Sequence, residues 1–164
     1  MDEPVRYDID GFDIITNAIL DLLNGYPNGE SDIRFATLAE DEGIAMFPNA
    51  GAIIQAERVS ITNHVFQRCL YPFSIFYRAT GLSENRKIAV KEWMDTLGRW
   101  LEKQPIKNSD GSILVLSDYP ALNDGRKIEG ITRTSPTVLS DIAENQTQDW
   151  VINLQVVYTY EFDK

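Results

Sequence analysis

Side chains able to do chemistry are sparse in this chain, and their placement limits what they can do. His64 is the only histidine and Cys69 the only cysteine. A metal site built from several histidines is therefore impossible, and a histidine-based triad has one candidate base. On a regular strand His64 and Cys69 have opposite parity and point to opposite faces, which separates that base from the only thiol. The expectation is an ordinary surface or turn histidine and an inert buried cysteine that packs as a small hydrophobe.

Two segments imitate ligand loops and fail on detail. Asp8-Ile9-Asp10-Gly11-Phe12-Asp13 has the acidity of a calcium loop, but its glycine is misplaced and no glutamate completes the pattern. Helix capping accounts for it better. Gly125-Arg126-Lys127-Ile128-Glu129-Gly130-Ile131-Thr132 has the glycine spacing of a phosphate-binding loop, with Ile131 where the lysine belongs. Asp124-Gly125 reads instead as a turn. Neither a Gly-x-Ser-x-Gly elbow nor a dinucleotide fingerprint is present. The sequence thus assigns no catalytic residue, no cofactor and no metal, and the expectation is a protein that is not an enzyme, with a small enzyme working through paired carboxylates among its twenty-five acidic residues as the weakest alternative.

Charge narrows the partners. Twenty-five acidic against fifteen basic residues leave a formal charge of −10, which disfavours tight binding to nucleic-acid backbones. An acidic surface also suits a conduit past which DNA slides without sticking. No apolar run approaches the roughly 18 residues of a membrane span. Met1-Asp2-Glu3-Pro4 is acidic where a secretory signal is basic, so synthesis in a reducing cytoplasm, with no membrane association, is expected.

The elements that must carry these residues follow from periodicity. Phe12, Ile15, Ile19, Leu22 and Leu23 fall at helical spacing between Phe12 and Asn24, with Asp10 as N-cap and Asn24-Gly25 as the stop. Four β-type runs follow, Ile33 to Leu38, Gly43 to Phe47, Ile53 to Thr62 and Val65 to Arg78, read as a meander of antiparallel neighbours. In the last of them Cys69, Tyr71, Phe73, Ile75 and Tyr77 share one face, and Pro72 predicts an edge, a bulge or a break. A second helix between Ser83 and Lys103 carries a stripe of Val90, Trp93, Met94, Leu97, Trp100 and Leu101. Residues 104–127 read as a long loop with one short strand at Ile113 to Leu116. The C-terminal part, residues 128–162, reads as a hairpin whose second strand alternates from Trp150 to Phe162. The expectation is one domain over residues 1–164, with residues 1–10 as an N-terminal arm. Its fold class is α+β, a mostly antiparallel sheet with two amphipathic helices packed on one face.

This order of elements resembles the tail terminator and related minor capsid or neck proteins of long-tailed phages and prophages of Gram-positive bacteria. The likeness lies in Phe73-Ser74-Ile75-Phe76-Tyr77-Arg78 before the tryptophan-bearing helix, in Lys127-Ile128 leading to Arg133-Thr134-Ser135-Pro136, and in Gln148-Asp149-Trp150 leading to Tyr158-Thr159-Tyr160-Glu161-Phe162. The resemblance implies a virion component assembled in the host cytoplasm. It would be a homohexameric ring that caps the tail tube and meets the head connector, with tail-tube and connector proteins as partners. Acidic turns could then line the ring lumen, through Glu40, Asp41, Glu42, Asp141, Glu144 and Asp149. A monomeric protein-binding module encoded by a phage or prophage has the same composition and is the alternative.

Overall fold

The computed structural model describes residues 4–164. Helix α1 (Ile9–Asn24) precedes strands β1 (Ile33–Phe35), β2 (Gly43–Pro48), β3 (Ile53–Val59) and β4 (His64–Thr80). Helix α2 (Glu84–Leu101) is followed by β5 (Ile106–Lys107), β6 (Ile113–Leu114), β7 (Arg126–Arg133), β8 (Val138–Ile142) and β9 (Thr147–Asp163). Both helices lie on one face of a seven-stranded, mostly antiparallel sheet, and β5 and β6 pair separately. The class is α+β.

Two strands of 17 residues form the axis of the sheet. β4 and β9 pair antiparallel along their whole length, from His64 opposite Asp163 to Thr80 opposite Thr147, a ladder about 56 Å long at strand rise. Every other strand is laid against one of these two. β2 and β3 share the outer side of β4, and β7 and β8 share the outer side of β9.

That arrangement corrects three expectations. β1 and β2 pair parallel rather than antiparallel, because the connection reverses the chain twice, leaving β1 through Ala36 (φ 50°) and entering β2 through Gly43 (φ 136°). β2 and β3 do not pair with each other, so the segment is no meander. Pro72 neither breaks β4 nor lies at the sheet edge. It falls where β4 exchanges one partner for another, between Phe73 opposite Pro48 and Leu70 opposite Ile53. Its carbonyl accepts from Asn49 N–H at 2.9 Å, and a residue's N–H and C=O leave a strand on the same side. The missing donor therefore points into that gap, where no ladder bond is lost.

The core lies between the sheet's inner face and the helices. α1 buries Ile15, Ile19 and Leu23, each worth about 1.5–3 kcal/mol of apolar transfer. Thr16 shares a 2.6 Å hydrogen bond with the buried Tyr71 hydroxyl. α2 buries Val90, Met94, Leu97, Trp100 and Leu101, and Trp93 meets Tyr77 edge-on at 5.6 Å. Ser83 caps α2 by accepting from Arg86 N–H. The cap of α1 is Asp8 rather than Asp10, so the helix starts at Ile9. The expected arm of residues 1–10 is correspondingly shorter. Of it, residues 1–3 lie outside the described residues, and Arg6 to Asp8 run beside β3, with Tyr7 bridged to Ile53.

The long loop contains the small β5–β6 pair, and Tyr119 ties it down by donating to Leu101 C=O at 2.7 Å. The C-terminal hairpin is divided, because Thr134 to Thr137 interrupt its first arm and leave β7 and β8 as separate strands on β9.

Among the described residues no helix covers the sheet's outer face. Phe47, Phe66, Leu70, Phe76, Val151 and Val157 lie on it half-exposed, with Phe47 and Phe76 edge to face at 5.3 Å.

Candidate functional site

The six acidic residues expected to share a lumen come from three separate parts of the chain, and the fold gathers them at one end of the sheet. Glu40, Asp41 and Glu42 occupy the β1–β2 connection, Asp141 lies in β8, Glu144 in the β8–β9 turn and Asp149 in β9. The joint between the groups is the C-terminal end of β4. Thr80 Oγ1 donates to Asp41 C=O at 2.9 Å and lies 2.9 Å from Thr147 Oγ1. Gly81 N–H reaches Gln146 C=O.

Arg78 is the charge at the centre of this end. Its Nε and Nη2 donate to the two oxygens of Asp149 at 2.7 and 2.9 Å, and its Nη1 donates to Ala39 C=O at 3.1 Å. The paired Asp149 carboxylate raises the guanidinium pKa further above its ordinary value. Asp149 is thereby neutralised and mostly covered, whereas Glu40, Asp41, Glu42, Asp141 and Glu144 remain exposed. The gathered rim is acidic, with one of its six carboxylates serving as a structural anchor.

Beside the rim a cavity of about 460 Å³ opens between the α1–β1 connection, β2, the end of β4 and the start of α2. Its wall mixes Glu30, Asp32 and Glu42 with Arg34, Arg78 and Arg86. Tyr77 donates to Glu30 across it, and burial followed by the neighbouring carboxylate pushes the Tyr77 phenol well above its usual range. Among the described residues no three His, Cys, Asp or Glu side chains come together in a way that could hold a metal ion.

The remaining chemistry-bearing residues are engaged elsewhere. His64 lies at the far end of β4, its Nδ1 2.8 Å from Asp163 Oδ1 and its Nε2 3.5 Å from Glu161 Oε1. Cys69 is fully buried, and desolvation pushes its thiol up to about 11. β4 runs without a bulge between them, so they face opposite sides as parity requires.

Arg78, Thr80, Glu30 and Arg86 belong to this end of the molecule and were not singled out from sequence. For Arg78 a signal existed, since it is the one cation on the outward parity of β4 next to the acidic turns. Glu30 and Arg86 carry no such signal, because only the tertiary fold brings the α1–β1 connection to the start of α2. Compared with known proteins, the chain matches no family model and no curated protein.

Proposed function

We propose that the protein is a ring-forming structural subunit of a phage tail or neck, resembling a tail terminator, with no catalytic role. One observation carries the reading: acidic segments separated by some hundred residues form a single exposed rim at one end of the sheet, braced by Arg78. Repeated around a ring, such a rim lines an opening with negative charge, which repels DNA phosphates and lets a duplex pass without sticking. The uncovered outer face, with its half-exposed phenylalanines, supplies apolar surface of the kind that assembly covers.

The test is solution mass by native mass spectrometry over a range of concentration and salt, with and without purified tail tubes. A hexamer, alone or on addition of tubes, is the expected result. A strict monomer that ignores tubes overturns the ring and favours a monomeric binding module instead.

A further inference from the structure

Sheet edges attract other strands unless they are blunted, and among the described residues β8 is the one edge that no other segment or side chain covers. β3 is covered by the arm, since Ile54 N–H donates to Arg6 C=O and Asp8 N–H to Ala52 C=O. β7 is capped by side chains, with Ile131 N–H on the Tyr119 hydroxyl and Arg133 N–H on Glu102. β1 is three residues long, and the Asn24 side chain takes both the N–H and the C=O of Ile33. Among the described residues nothing covers β8, whose own protection is a bulge between Leu139 and Asp141 and the Asp141 charge. β8 pairs with β9 on one side only, all five of its residues are exposed, and they include Val138, Leu139 and Ile142 without one lysine, arginine or proline.

The residue rows of the sheet show what fits there. Arg34 is in register with Ala45, Phe76, Val151 and Val138, which run in that order from β1 to β8. The two outer edges, β1 and β8, thus stand at the same level on opposite sides of the subunit. Following the pairings, β8 runs opposite to β1, so a β1 strand from a second copy would meet β8 antiparallel. Side chains match on both faces. Arg34 and Asp141 both point to the outer face, and among the described residues neither forms an ion pair, Asp141 acting on Arg78 only through its charge. On the inner parity Phe35, 41% exposed, is level with Thr137 and so diagonal to Leu139, 39% exposed.

We infer that copies of this chain join head to tail, β1 of one subunit adding antiparallel to β8 of the next, with Arg34 diagonal to Asp141 and Phe35 diagonal to Leu139. Diagonal cross-strand neighbours are about 7–8 Å apart, within reach of an arginine. The peptide groups of Phe35 are the ones left open on β1, so side chains carry much of the specificity. A heterologous contact of this kind closes into a ring when its rotation allows. It also keeps every acidic rim at the same end. The inference rests on the ring reading and moves Asp141 from the lumen into the subunit contact.

Charge reversal and its repair test the contact on the full-length chain, with purified tail tubes as nucleus if the chain alone is monomeric. Both sites are exposed, so the variants should keep the circular dichroism and melting temperature of the parent. Arg34→Glu and Asp141→Arg should each weaken assembly by about tenfold or more, because like charges then face each other. The double variant should restore it. If the parent forms rings and neither single reversal weakens them, or if both do and the double variant stays dissociated, the β1–β8 contact is wrong while the ring stands. A parent that never assembles overturns both.

Discussion

Asp8 and Arg126, 118 positions apart, form a two-pronged ion pair sealed inside the protein. Arg126 Nη2 and Nε reach the Asp8 carboxylate at 2.8 and 3.0 Å, and Tyr158 donates to the same group at 2.8 Å. Asp8 also caps α1 through Gly11 N–H. Arg126 lies over the Tyr160 ring, 3.7 Å from its centroid. One carboxylate thus fastens the arm, the first helix and the last strand.

Removing one partner leaves a buried charge without its counterpart. Asp8→Asn or Arg126→Met should each cost about 3–5 kcal/mol, read as a fall in the urea midpoint. The double variant should cost less than the two singles added. Burial pushes the Asp8 pKa up, but the bonds from Arg126, Tyr158 and Gly11 outweigh it and hold the group below the ordinary carboxylate value. The stability it supplies is therefore present above pH about 4 and is lost as the pH falls through its depressed value. An acid melt of the parent against Asp8→Asn, converging at low pH, checks the sign.

At the opposite end of the ladder the sign reverses. Hydrogen bonds to Asp163 and Glu161 raise the His64 pKa, so its contribution is complete below pH about 6.5 and disappears as pH rises through the raised value. A nuclear magnetic resonance titration should find the imidazole above its ordinary pKa. Melting temperatures of the parent and His64→Gln should differ at pH 6 and coincide at high pH. Because the groups are exposed, the difference should be small.

Gly98 looks replaceable from sequence, where a helical glycine costs about 1 kcal/mol against alanine. The packing says otherwise. A Cβ there would stand 2.6 Å from Arg133 Cδ and 3.1 Å from Ile152 Cδ1, and Arg133 is held by Glu102 at 2.7 Å. Overpacking of about 1–3 kcal/mol should cancel or exceed the helical gain, so Gly98→Ala should not stabilise the protein. A rise in melting temperature would show that the Arg133–Glu102 pair yields easily.

Reversing Glu40 and Glu42 to lysine alters the rim without touching Arg78 or Asp149. The assembled protein should then retain duplex DNA that the parent lets pass, the more so at low salt. Unchanged retention in a filter-binding assay would remove these residues from the lumen.

What the sequence made legible was what a local period encodes. α2 and β9 were bounded within a few residues, because a six-residue apolar stripe and an alternation from Trp150 to Phe162 leave little choice. Pairing was less accessible. Nothing in Ile33 to Phe35 says that this strand runs parallel to its neighbour, and Pro72 looked disruptive because its gap is made by strands ending elsewhere. Asp8 was passed over as a cap for Asp10, since what selects it is Arg126 far along the chain. The acidic rim was half-legible: its carboxylates are plain in the sequence, while the arginine and threonine that draw them together act only across β4.

The pairing of β4 with β9 also governs when the molecule can fold. Its first and last ladder residues, His64 and Asp163, lie 99 positions apart, and contacts of that range make folding slow. During synthesis β4 keeps one side bare until Thr147 to Asp163 have followed it out of the ribosome, so the nascent chain carries an apolar strand of 17 residues paired on one side only until β9 is made. β9 completes the centre of the sheet, and a ribosome stalled before it presents a chain suited to chaperone capture or to aggregation.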